Sequence, residues 1–460
     1  MKLFSFSLAR RKASEDAFWI HPVVHAWARE RLNAHFKIQK AEEAVILCGQ
    51  LLRQQSHKPP EKWTFERRIW PHIESVERSL KTLPRFSNQL GKGEILFNAA
   101  SNMGQLYRNH GLYSQSIYLL DWSLASQEHF LGEKHNSTLS TVEGMAWAFH
   151  DKGQYEKALE WYRRALDGRE ETLGNDHLQT LSTVNNIAVV FVEQGEYEKG
   201  LEWYRRALRG REKTLGKEHP STLGTINNIA GVLQEQGKNQ KALEMYRSVL
   251  DVWEMTLGKK HPSTLATVHN MARVFFEQRQ YEKALEWYRR ALDGRERTLG
   301  KDHPQTLITV HNMAGVYIEQ ELREKGLEWY QRALDGREKT LGKDHPSTLG
   351  TVNNMAGVFQ EQQQYAKALK WYRRALLGRE KTLGKDHPFT LGTVNNIAGV
   401  FYEQGQYEKS LEWYRRALKG REKTLGKDHS VTLATANNTA CVQDYLYALT
   451  GTDINQVGIH

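Results

Sequence analysis

The chain has 460 residues, of which 39% are hydrophobic and 26% charged, with only two cysteines, Cys48 and Cys441. No run nears the roughly 18 apolar residues of a bilayer span, and a mean hydropathy of −0.67 fits a soluble, helix-rich chain; membrane, disordered and disulfide-stapled classes are excluded. The net charge of +10 is local: residues 1–92 hold 17 Lys and Arg against 9 Asp and Glu, the remainder 47 against 45, so the body is near neutral and poorly suited to nucleic acid.

The start, Met1 to Lys12, is apolar and then basic. It is short for a signal peptide and lacks a small-residue cleavage site, and Glu15 and Asp16 come early for a transit peptide, so a cytoplasmic chain with reduced thiols is expected. Phe18 to Leu32 is aromatic-rich and predicts a helix. Further helical stretches follow at about 40–55 and 63–82, joined by His57-Lys58-Pro59-Pro60.

From about residue 94 the chain repeats itself every 42 residues. His135, His177, His219, His261, His303, His345, His387 and His429 are spaced at that period, as are Trp161, Trp203, Trp287, Trp329, Trp371 and Trp413, with Met245 in the vacant slot. Each period predicts two helices. In residues 179–216, Leu181, Val184, Ile187, Ala188 and Phe191 share one face at 100° per residue. Gly195 ends that helix, and Tyr197, Gly200, Leu201, Tyr204 and Leu208 form the stripe of a second, which stops at Leu215-Gly216. Ser221 reads as the N-cap of the next. One hairpin cannot bury its own faces, so neighbours must stack. The count is eight helix pairs, then a capping helix at about 431–449.

The small–aromatic–Gly-x-Tyr–Ala–Tyr–Ala spacing resembles that of tetratricopeptide repeats. Thr390 to Phe401, followed by Glu-Gln-Gly-Gln-Tyr-Glu-Lys and later Gly-Arg-Glu-Lys-Thr-Leu-Gly-Lys-Asp-His, is similar to the 42-residue variety of kinesin light chain. The resemblance implies an all-α fold: a right-handed superhelical solenoid of helix hairpins over residues 93–449, preceded by a small helical segment at 1–92 and followed by a tail at 450–460. His21-Pro22-x-Val24-His25-x-Trp27 and Trp70-Pro71-His72-Ile73 resemble the tail and linker of the NB-ARC module of NOD-like (STAND) receptors. That likeness implies the sensor half of such a receptor.

The search for chemistry returns little. Gly210-Arg-Glu-Lys-Thr-Leu-Gly216-Lys217-Glu218 imitates a phosphate-binding loop but has five residues between its glycines, and Glu218 stands where Ser or Thr should hold magnesium. The histidines recur once per helix pair, too far apart to converge on one metal ion. His21 and His25 lack a third ligand, and no HExxH or GxSxG motif is present. No catalytic residue, metal or cofactor is expected. The tryptophans read as core rather than stacking platforms for RNA, and pairs such as Arg205-Arg206 and Arg373-Arg374 as a solvated face.

The polar face of each first helix carries the functional signal. Asn recurs as Asn102, Asn186, Asn228, Asn270, Asn312, Asn354, Asn396 and Asn438, broken only by Gly144, and Glu as Glu193, Glu235, Glu277, Glu319, Glu361 and Glu403. Gly231, Gly315, Gly357 and Gly399 lie between, leaving room for a ligand. In the family this face lines the concave groove, and the matching Asn grips a peptide backbone, donating to a carbonyl and accepting from an N–H. Apart from Arg273, the assigned groove positions hold no cation. The expected partner is therefore a protein or extended peptide, neutral or basic rather than acidic; membrane and nucleic acid are not expected partners, and self-association stays open. An inter-repeat Asn bond or inert copying by duplication are the structural alternatives. Other functional readings are nucleic-acid binding through residues 1–92 and cargo adaptation as in kinesin light chain, whose coiled coil the prolines of residues 1–92 disfavour.

Overall fold

The computed structural model describes residues 93–450, together with two short strands. Strands β1 (Ala9–Arg11) and β2 (Phe18–Ile20) pair antiparallel, Ala9 opposite Ile20. The expected helix over 18–32 is corrected at its start, where Phe18, Trp19 and Ile20 join that pair. The helical stretches at 40–55 and 63–82, the NB-ARC-like motifs and Cys48 lie outside the described residues.

Among the described residues seventeen helices follow from Gly93 onward, and the array is an all-α repeat solenoid. Its pairs are α1 (Gly93–Asn109) with α2 (Tyr113–Leu131), α3 (Asn136–Asp151) with α4 (Tyr155–Leu173), α5 (Leu178–Glu193) with α6 (Tyr197–Leu215), and α7 (Pro220–Glu235) with α8 (Asn239–Thr256). Then come α9 (Pro262–Glu277) with α10 (Tyr281–Thr298), α11 (Pro304–Glu319) with α12 (Arg323–Thr340), α13 (Pro346–Glu361) with α14 (Tyr365–Thr382), and α15 (Pro388–Glu403) with α16 (Tyr407–Thr424). The unpaired α17 (Ser430–Thr450) closes the series.

The helix starts correct one expectation. The N-cap is the periodic histidine, two residues before the serine. His219 Nδ1 accepts from the Ser221 backbone N–H at 3.1 Å, and Pro220 takes the first helical position, where no N–H is needed. The same cap opens every first helix from α3 to α15. A capping Nδ1 must be unprotonated, so each ring carries its proton on Nε2. Gly195 adopts φ 77° and turns the chain into α6, as expected for a residue past a helix end.

Each core layer is shared between repeats. Ala188, Leu201 and Tyr204 of the third repeat pack on Ile229 and Val232 of the fourth, and all are buried. Fully burying one Leu- or Ile-sized side chain contributes roughly 1.5–3 kcal/mol, so stability resides in interfaces that a single hairpin lacks. The solenoid also curls until it meets itself. The His345 side chain reaches the carbonyl of Asn109 at 3.3 Å, and Leu425 packs beside Tyr155 and Phe191.

Candidate ligand groove

The ladder asparagines project from the middle of the first helices, where they bond from one repeat to the one before. Asn186 Nδ2 donates to Glu143 Oε1 at 3.0 Å and Asn228 Nδ2 to Asn185 Oδ1 at 3.4 Å; Asn312 Nδ2 lies 3.1 Å from His269 Nε2, and Asn354 Nδ2 3.1 Å from His311 Nε2. In these four cases the partner, Glu143, Asn185, His269 or His311, stands one position before the ladder slot of the preceding repeat. Any side chain with a lone pair serves as acceptor; the donor must carry an N–H. Asn186 and Asn228 therefore commit an amide hydrogen to the scaffold and keep Oδ1 for other partners, while the Asn312 and Asn354 amides are engaged by a histidine ring nitrogen.

In the fifth to eighth repeats the first-helix faces enclose a cavity of 480 Å³. It brings together Asn312, Asn354 and Asn396 with Glu277, Glu319, Glu361 and Arg273. Asn102, Asn186 and Asn228 in earlier repeats and Asn270 in the fifth are half-buried and outside it; Glu403 is exposed, also outside it, and accepts from Gln360 at 2.6 Å. Arg273 is not free to meet a ligand unopposed: it donates to Glu235 at 3.1 Å and lies 3.9 Å from Glu277. Burial pushes the Glu277 carboxyl above its ordinary range, against the opposing pulls of Gln234 and Arg273.

The floor of this cavity is tyrosine, which sequence reasoning treated only as core. Tyr288, Tyr330 and Tyr372 come from the second helices, and their hydroxyls turn toward the groove. A Cβ built on Gly315 or Gly357 would stand 3.5 Å from the Tyr330 or Tyr372 hydroxyl. The small residues thus leave space that a hydroxyl of the same repeat already borders, which narrows the room expected there for a ligand. Burial raises all three phenols above the usual range, so they stay protonated donors.

A second cavity, of 910 Å³, opens where the curled array meets itself. Glu193, Glu235 and Asp151 line one side, and Asn354, Asn396, Arg379 and Arg421 the other. Those two arginines belong to a periodic series that the charge of the residue disguised as surface. Arg169, Arg211, Arg295, Arg337, Arg379 and Arg421 stand in the Gly-Arg-Glu strings that imitate a phosphate loop, and every one is buried. Each Nη1 reaches into the next repeat; Arg337 donates to the Ser347 carbonyl at 2.9 Å and to Thr351 Oγ1 at 2.7 Å. Among the six only Arg169 pairs with a carboxylate, Glu143, at 2.9 Å. Desolvation lowers Arg295, Arg337 and Arg379 to about 10, still charged at neutral pH. The one available signal was that an Arg flanked by Gly fell on the apolar stripe.

The tryptophans are half-buried against the core and covered by the second residue of the Arg-Arg pairs. Arg206 lies 5.5 Å over Trp203 and Arg374 5.8 Å over Trp371, and each also pairs with a glutamate one repeat earlier, Glu170 and Glu338. One ring face is therefore covered by a guanidinium that is itself already paired. Among the described residues no group of three or more His, Cys, Asp or Glu could hold a metal ion, and no helix is long and apolar enough to cross a membrane.

Comparison with known proteins agrees with this architecture. The pattern of the tetratricopeptide repeat matches residues 95–171, 148–213, 221–297, 264–321, 305–376, 348–419 and 390–446. No curated relative matches the chain. Among solved structures, a Rap protein complexed with Competence and Sporulation Factor is 13% identical over 85% of this chain and 98% of its own, with a TM-score of 0.51. A Podosopora anserina protein described as a kinesin light chain with nearly identical TPR-like repeats is 25% identical over 44% of this chain and 95% of its own, at 0.38. A Pyrococcus horikoshii STAND protein with a tetratricopeptide repeat sensor is 14% identical over 94% of this chain and 60% of its own, at 0.42. With stacked hairpins from residue 93 onward and the repeat pattern matched from 95 to 446, the chain belongs to the tetratricopeptide repeat family.

Proposed function

We propose that the chain is a protein-interaction scaffold that holds an extended, neutral or basic peptide segment of its partner in the concave groove. The observation that carries this reading is the convergence of Asn312, Asn354 and Asn396 with Glu277, Glu319 and Glu361 on one cavity. The amide oxygens suit backbone N–H groups, and the exposed carboxylates suit Lys or Arg side chains. Tyr330 adds a hydroxyl donor for a carbonyl, while the Tyr372 hydroxyl already donates to Gln360 at 3.2 Å. The finer role, a sensor joined to a nucleotide-binding module through residues 1–92, rests on the sequence resemblance alone.

The test uses labelled ten-residue peptides of matched length that are Lys-rich, neutral or Glu-rich, with anisotropy read against the full chain. Lys-rich or neutral peptides should bind in preference to Glu-rich ones, and the triple variant E277Q/E319Q/E361Q should weaken the Lys-rich peptide at least tenfold. Tighter binding of the Glu-rich peptide would overturn the reading. Glutamine keeps a hydrogen-bonding side chain at each position, so the triple variant removes the charge rather than the links such as Gln234 to Glu277.

A further inference from the structure

The turn between the two helices of every repeat needs a residue with positive φ, and eight such turns are present. Five use glycine: Gly111, Gly153, Gly195, Gly237 and Gly405. Three use larger residues, Arg279, Glu321 and Gln363, at φ 57°, 61° and 57°. An L-residue with a side chain is strained there, whatever its surroundings.

The first three glycines lie under the next turn of the superhelix. A Cβ on Gly111 would stand 2.5 Å from Pro346 Cδ, one on Gly153 3.0 Å from His387 Cδ2 and Pro388 Cδ, and one on Gly195 3.2 Å from His429 Nε2. The seam thus docks a histidine-capped helix start (His345-Pro346, His387-Pro388, His429-Ser430) onto a glycine turn in successive repeats, and bulk at the turn forbids it. Beyond the seam, both of its halves recur on the outside of the molecule. A Cβ at Gly237 or Gly405 would meet nothing within 4 Å, and Arg279, Glu321 and Gln363 are exposed. On the opposite rim, His177, His219 and His261 cap their helices just as His345 and His387 do.

The occupant that fits such a rim is a second copy of this chain, placed one superhelical turn onward. That contact is heterologous and does not close, so it would run on into a filament. We propose that Arg279, Glu321 and Gln363 are steric stops that keep the seam from propagating to a second copy. They fill three consecutive turns in the middle of the open rim. One is cationic, one anionic and one neutral, so bulk is what they share. Where the seam is made within the chain, the corresponding residues are all glycine.

Sedimentation velocity on the full chain tests this, comparing wild type with R279G/E321G/Q363G over a hundredfold concentration range, with helicity checked by circular dichroism. The wild type should hold one sedimentation coefficient, and the glycine variant should shift to larger species as concentration rises. Adding H177N and H219N, which keep a capping side chain but remove the ring, should reverse the shift. The proposal is overturned if the glycine variant sediments as the wild type does, or if its association survives the two histidine replacements.

Discussion

His345 joins two parts of the chain 236 residues apart. Its Nδ1 accepts from the Ser347 N–H at 3.1 Å and caps its own helix, while Nε2 donates to the Asn109 carbonyl at 3.3 Å, on the preceding superhelical turn. The cap fixes which nitrogen carries the proton, and that proton makes the long-range bond. A local rule of helix capping thereby helps set the curvature of the whole array, and with it the enclosure of the groove.

Acid should loosen the structure. Burial, the largest cause, lowers His345 and His387 to about 4 and His269 and His311 to about 3. Because these folded-state values lie below the unfolded value near 6.5, the unfolded chain binds more protons, and stability present above pH 6.5 is lost as pH falls toward 4. At pH 5 each such histidine costs on the order of 2 kcal/mol. Thermal melts at pH 7.5 and pH 5 should show a lower midpoint in acid; equal midpoints would contradict the buried histidines.

The buried arginines should be hard to delete but replaceable by bulk. Arg337→Ala removes the Nη1 donor shared by the Ser347 carbonyl and Thr351 Oγ1, opens a cavity, and should cost about 2–4 kcal/mol. In the fourth repeat the same slot holds Trp253, buried, and Thr267 bonds instead to Asn227 at 3.1 Å. Arg337→Trp should therefore cost less than Arg337→Ala in denaturant unfolding.

Position should decide the effect of a turn substitution. Gly153→Gln meets His387 and Pro388 and should open the seam, read as a larger radius of gyration by small-angle scattering. Gly237→Gln has open space and should cost only the backbone strain, about 1 kcal/mol. Equal radii for the two variants would show that the seam does not hold the curl.

The arginine over each tryptophan should matter little to stability and more to accessibility. Arg374→Ala removes a half-exposed ion pair to Glu338 and should cost less than about 1 kcal/mol. It also uncovers Trp371, so acrylamide quenching of tryptophan fluorescence should rise.

The sequence by itself determined the helix pairs, because the 42-residue period, the apolar stripe from Leu181 to Phe191 and the turn at Gly195 are local patterns. It also placed the Asn and Glu ladders on one face, since helical geometry fixes which residues share a side. Where those residues point their hydrogen bonds was not legible. Whether Asn312 faces solvent or His269 depends on the stacking offset between repeats, and no single-helix projection contains that offset. The N-cap slipped by two residues because His219 and Ser221 are both competent acceptors, and the packing of the loop chose the ring. The arginine series hid behind its charge, which reads as surface until the next repeat supplies a backbone carbonyl and a threonine. Only tertiary structure set the curl that brings Asn109 to His345, for small angles between neighbouring hairpins accumulate over many repeats before two distant residues meet.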